Sequence, residues 1–256
     1  MTMLKRLFDF YLNASLHIGL AILALTHITE IILKIPSQKN LDMVVFFGAV
    51  LGYNVLKYVD VFTRNRQWIS RNPMIILVSF LAFLTACYYF FQLETTTQLA
   101  FIGIGVIICF YPFLRKFGLL KMFLVSFCIS LITVGIPFLM IKSVSVDCYL
   151  TFTQRFLIVV SLLIPFEIYD SKTDDPTLLT LPQQFGIRPT KIFGMLLVIP
   201  FLLLEFFKTN PSYSVLIVSI IAVLFIHFSS VHRSKYYTSF WVESVPIFWW
   251  LLLCMI

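Results

Sequence analysis

Ile164–Lys191 reads IPFEIYDSKTDDPTLLTLPQQFGIRPTK, closing a long apolar run with four of the chain's twelve acidic residues. Glu167, Asp170 and Asp174 stand at i, i+3 and i+7, so they line one face if the helix continues. Desolvated carboxylates without partners cost several kcal/mol each. Three on one face at a membrane boundary therefore require a cation. Two readings follow. One is a solvated acidic loop in which Asp174 or Asp175 caps a helix. The other is a divalent-metal and phosphate site, because hard oxygen ligands suit magnesium, which takes one or two carboxylates plus substrate phosphates.

The composition sets the solvent. Of 256 residues, 60% are hydrophobic and only 12% charged, and the mean hydropathy is +0.95. A soluble domain carries about 25% charged residues, so this chain reads as a polytopic membrane protein forming a single all-α domain over 1–256. Its net charge of +7 reports topology and contact with anionic lipid rather than nucleic acid. Five scattered cysteines have neither disulfide-framework nor zinc spacing. Lys5 and Arg6 precede an apolar run long enough to span, so a retained first helix is expected rather than a cleaved signal.

A span takes about 20 apolar residues, and nine segments qualify: 8–33, 41–62, 73–93, 98–114, 119–141, 153–169, 191–207, 212–230 and 239–256. With the N-terminus inside, 14 of the 19 basic residues fall on the inner side. Basic residues stay cytoplasmic, which predicts a nine-helix bundle with a cytoplasmic N-terminus. The second and sixth spans then both end at the inner face.

The end of the second span, GYNVLKYVDVFTRNRQWISRNP (52–73), places Tyr53, Lys57, Asp60 and Arg64 on one helical stripe, with Asn54 at its edge. Lys57 and Asp60 read either as a mutual buried pair or as a stripe facing the acidic tip of span six. In the loop after span four, Arg115, Lys116 and Lys121 are either plain topology determinants or phosphate partners. Glu205 and Glu243 read either as intramembrane acids of a lipid-binding or transport protein or as interfacial residues near the outer ends of spans seven and nine. His17, His27 and His227 are too dispersed to predict a metal site. Trp241, Trp249 and Trp250 are expected to anchor an interface. The 28 Phe and 11 Tyr suit an isoprenoid-lined cavity and lipid-facing packing equally.

These residues resemble the UbiA superfamily of intramembrane prenyltransferases along nearly the whole chain. The likeness rests on the span count and on Asn54 opening the polar tip of span two, with Arg71 before span three. It rests further on Tyr111-Pro112 followed by Arg115-Lys116, and on DxxxD at Asp170 and Asp174 followed by TLPQQFGIRPTK. The resemblance implies a helical bundle with a lateral opening to the bilayer. Magnesium held by Asp170, Asp174, Asn54 and Glu167 would bind the diphosphate of a polyprenyl donor, and the prenyl group would pass to an aromatic or lipid acceptor. Asp170, Asp174 and Lys57 are then the catalytic candidates. Tyr58, Asp60, Arg64, Arg71, Arg115, Lys116 and Lys172 join Asn54 around the substrate. The setting implied is a bacterial inner membrane with the site on the cytoplasmic side. The family's first motif, NDxxDxxxD, is not intact: its acids would fall at Val55, Tyr58 and Phe62, and Lys57 brings a positive charge. Three outcomes stay open. Lys57 stands in for part of the metal charge, or the donor head group has changed, or the chemistry is lost and the cavity binds or moves a lipid.

Overall fold

The computed structural model describes residues 3–64, 72–111, 118–139, 145–175 and 178–255, without the side chains of 59–64. Every regular element among them is helical. In chain order these are α1 (Met3–Asn13), α2 (Leu16–Leu33), α3 (Lys39–Arg64), α4 (Pro73–Phe90), α5 (Thr95–Cys109) and α6 (Gly118–Ser130). Then come α7 (Val146–Asp170), α8 (Leu181–Phe185), α9 (Ile187–Leu203), α10 (Ser214–Phe228) and α11 (Val245–Met255). A π-turn carries α6 on to Phe138, and another, Tyr237–Val242, precedes α11. Among the described residues, seven helical stretches are long and apolar enough to cross a membrane. The expected fourth and eighth spans are short apolar helices of 15 residues, α5 and α10.

The expected first span is two helices. Ser15 adopts φ 57°, a conformation that costs a non-glycine residue about 1–2 kcal/mol, and α1 stops before it. The last carbonyls of a helix need donors, and span two supplies them. Asn54 Nδ2 donates to Ala14 O at 3.1 Å, and the Tyr58 hydroxyl donates to Asn13 O at 2.7 Å. Asp9 fastens α1 to the start of the last span: Tyr236 Oη donates to its carboxylate at 2.6 Å, with Lys235 Nζ at 3.4 Å. The Tyr236 hydrogen bond, helped by Lys235, holds the Asp9 carboxyl below its ordinary value. A depressed carboxyl stabilises the fold above its unfolded value, about 3.9, and that contribution is lost as pH falls through the lower folded value. Wild type is therefore expected to melt above Asp9→Asn at pH 6, the gap closing below about pH 4. Thermal scans across that range check it.

Lipid is as apolar as leucine, so close packing and interhelical hydrogen bonds hold the helices together. Two apolar clusters form. One joins Ile28, Ile158, Ile164, Phe201, Val218 and Trp249 across α2, α7, α9, α10 and α11. The other joins Ile22, Leu41, Val45, Ile104 and Ile136 across α2, α3, α5 and the end of α6. Trp249 is therefore a core residue, not an interface anchor: it is 3% exposed, and its indole N–H donates to Ser214 Oγ. Trp250 stacks on His27, while Trp241 is exposed.

Close approaches occur where side chains are missing. A Cβ on Gly194 would lie 2.9 Å from Ile164 Cγ1. One on Gly118 would lie 2.6 Å from Thr180 Cα and would also press on the Leu179 carbonyl. The start of α6 is thus seated on the loop that follows the acidic tip. Because backbone cannot swing aside as a side chain can, Gly118→Ala is expected to cost at least the ~1–3 kcal/mol of ordinary overpacking. A lower melting midpoint of the purified variant checks it.

Contacts connect the elements at one end of the bundle. Lys191 Nζ donates to His227 O, tying the start of α9 to the end of α10. The chain then returns through Tyr236 to Asp9 of α1, and through Asn13 to Tyr58 of α3. The ends of α3, α7 and α10 and the starts of α6 and α9 therefore share that end.

Candidate functional site

Helix α7 ends at Asp170, but its helical sense runs one turn further. Ser171 N donates to Glu167 O at 3.0 Å and Asp174 N to Asp170 O at 2.8 Å. Glu167, Asp170 and Asp174 consequently stay on one face. The loop beyond is pinned: Thr180 N–H donates to Gln183 Oε1 at 3.0 Å in a capping box that opens α8. Gly186, at φ +85°, turns the chain into α9.

The cation that these carboxylates require is in the chain itself. Lys121, one turn into α6, places Nζ 2.9 Å from Glu167 Oε1 and 3.7 Å from Asp174 Oδ2. Seating Gly118 on Leu179 and Thr180 is what brings this lysine to the tip. The pairing is incomplete, however. Glu167 Oε2 and Asp174 Oδ2 are buried without a hydrogen-bond donor among the described residues. One ammonium thus serves two carboxylates, and an oxygen of each is left without a donor. Asp170 lies within Coulombic reach of Glu167. Lys172 is exposed.

Span two presents a second polar group at the same end. Asn54 is buried; its amide nitrogen is committed to Ala14 O and to Ser79 Oγ at 2.9 Å. Only its Oδ1 is unpartnered among the described residues. Tyr58 donates its hydroxyl to Asn13 O, while Lys57 Nζ lies 5.2 Å from its ring. Asn54 and Tyr58 thus serve the break after α1, a structural duty that sequence did not predict. The expected roles of Asp60, Arg64, Arg71, Arg115 and Lys116 fall on side chains outside the described residues.

Glu243 corrects another expectation. It sits in the first turns of the last span, within electrostatic reach of Lys57, Tyr53 and Tyr11, and not at the far end of that span. Tyr53 lies in reach of Tyr111, and Tyr111 of Lys121. Tyr53 and Glu243 are half-buried and Lys57 is exposed. Electrostatic proximity thus links Glu243 and Lys57 through Tyr53 and Tyr111 to Lys121 at the acidic tip. Counting residues forward from Lys235 would have found Glu243, because it lies only eight positions along the chain.

The chain matches no protein-family model, no curated protein and no solved structure.

Glu205 belongs to a separate network at the other end. It accepts from Gln154 Nε2 at 2.9 Å and from Ser212 N at 2.7 Å, and pairs with Lys208 at 2.8 Å. Arg155 of α7 is 1% exposed there, donating to Thr29 Oγ1 at 3.1 Å with its guanidinium 5.4 Å from the Trp249 ring. His17 is a satisfied packing residue, bonded to Tyr11 Oη at 2.8 Å and to Phe240 O at 3.1 Å.

Proposed function

We propose that the chain is a UbiA-like membrane prenyltransferase with nine spans and a cytoplasmic N-terminus. It would move a polyprenyl group from a polyprenyl diphosphate to an aromatic or lipid acceptor at the cytoplasmic side, as in a bacterial inner membrane. The observation that carries this reading is the acidic tip, where one lysine serves two carboxylates and an oxygen of each has no donor. Buried donorless oxygens fit a hard divalent cation. Asp170, Asp174 and Glu167 would hold magnesium there, with Asn54 contributing its Oδ1. The ion would supply positive charge to a diphosphate leaving group.

The chain's own groups have separable tasks. Lys121 and Lys57 offer fixed ammonium charge where the carbon–oxygen bond to diphosphate breaks and its electrons move onto oxygen. Arg115, Lys116, Arg71, Arg64, Asp60, Tyr58 and Lys172 are proposed to border the substrate. Glu243, within electrostatic reach of Lys57, would take the proton that the acceptor loses as its new bond to the prenyl carbon forms. Burial between helices excludes water that would otherwise quench an allylic cation.

One observation favours a second reading. Lys121 already sits at hydrogen-bond distance on Glu167, and Val55, Tyr58 and Phe62 stand where the family has acids. On that reading the protein binds or transports an isoprenoid lipid without transfer. Purified protein incubated with labelled prenyl diphosphate, magnesium and a panel of acceptors separates the two. Turnover into an acceptor supports transfer, and saturable binding without turnover supports carriage.

A further inference from the structure

At the end of the bundle away from the acidic tip, His27 and Glu30 of α2 meet Asp42 from the first turn of α3. Each offers one ligand atom, and all three atoms lie within 4.8 Å of one another. Glu30 is 4% exposed, and its Oε1 is buried without a hydrogen-bond partner among the described residues, as is Asp42 Oδ1. The imidazole stands between the two acids. Its Nδ1 lies 2.7 Å from Glu30 Oε2, and its Nε2 faces Asp42 Oδ1 at 3.8 Å. Trp250 stacks on the ring with centroids 5.0 Å apart, and Ser37 Oγ donates to Asp42 Oδ2 at 3.0 Å. Both flanking groups hold their partners in place.

The two distances differ in kind. At 2.7 Å, Nδ1–H donating to a carboxylate is the arrangement that fixes a metal-binding histidine's tautomer and turns the Nε2 lone pair outward. At 3.8 Å, Nε2 and Oδ1 are too far apart for a hydrogen bond. Two donors held tetrahedrally at about 2.1 Å from one ion are themselves separated by about 3.4 Å, so the gap needs only a few tenths of an ångström of closure. Charge points the same way. A protonated imidazole brings a single positive charge against two carboxylates, and two buried oxygens still lack a partner.

We propose that His27 Nε2 and Asp42 Oδ1, with Glu30 holding the imidazole through Nδ1, bind a divalent transition-metal ion of the zinc class. An imidazole beside a carboxylate, with no thiolate, suits zinc better than magnesium or calcium, which take oxygen alone. Two protein ligands leave the remaining positions to water. The site is independent of the prenyltransferase reading, since it lies at the opposite end and uses none of the same residues.

The test is titration of the untagged full-length chain in nanodiscs with Zn²⁺ alone, in competition with a fluorescent chelator. One ion per chain is expected, with Asp42→Asn and His27→Gln each weakening binding by about 100-fold, the upper end of the loss seen even for groups that only support ligands. Zinc should also raise the melting midpoint of wild type and not that of the variants. Should either variant fail to fold, X-ray absorption of the zinc-loaded wild type replaces it, with one imidazole among oxygen donors expected. No stoichiometric binding, equal affinity in both folded variants, or an absorption spectrum without imidazole would overturn the assignment.

Discussion

Lys121→Met is expected to destabilise the protein by about 3–5 kcal/mol, the cost of breaking a buried ion pair from one side. Lys121 Nζ lies 2.9 Å from Glu167 Oε1, and the two side chains are only 13% and 8% exposed. Glu167 Oε2 already lacks a donor, so removing the ammonium strips the carboxylate's remaining strong partner. Asp174 loses its counter-charge at 3.7 Å in the same step. Replacing the whole pair with apolar groups of similar size is often close to neutral. The double variant Lys121→Met/Glu167→Leu should therefore recover most of the loss. Melting midpoints of the two singles and the double decide the matter. A single variant that melts with wild type would show that the pairing contributes nothing.

Asp174→Asn is expected to leave the melting midpoint within a few degrees of wild type and yet reduce magnesium-dependent diphosphate release by at least about 10²–10³-fold, the scale for losing one group that stabilises developing charge. The substitution is nearly isosteric and leaves the closer contact, Lys121 to Glu167, intact. Asp170→Asn should lose release to a similar degree. Stability and activity thus part company at the tip. On the proposed function, Lys121 is expected to carry the structural load and the aspartates the chemistry. Wild-type-like release by both aspartate variants would falsify their assignment.

Much of this was readable in the sequence because the bilayer narrows the choices. Spans must be helical and apolar, so α2, α3, α4 and the long run of α7 follow from composition. The acidic face at Glu167, Asp170 and Asp174 also follows from spacing, because the turn after α7 keeps helical sense. What spacing does not give is the partner. Lys121 is 46 positions before Glu167 and reaches it only because Gly118 seats α6 against Leu179 and Thr180. Hydropathy could not reveal the break at Ser15 either, since α1 and α2 read as one run. That break in turn explains why Asn54 and Tyr58 serve backbone carbonyls. His27 looked isolated because its partner Asp42 lies on the next helix. Trp249 looked like an anchor because tryptophan at a helix end usually is one, whereas here it covers the buried Arg155 guanidinium.

The most direct measurement is a structure of the full chain in lipid, soaked with Mn²⁺ in place of magnesium and with a non-hydrolysable prenyl diphosphate analogue. Anomalous density at Asp170 and Asp174, with the diphosphate lying between them, Lys121 and the Asn54–Lys57 turn, is the predicted result. Analogue density elsewhere, or Asn54 and Asp170 separated by packed protein with no chamber between them, would contradict it.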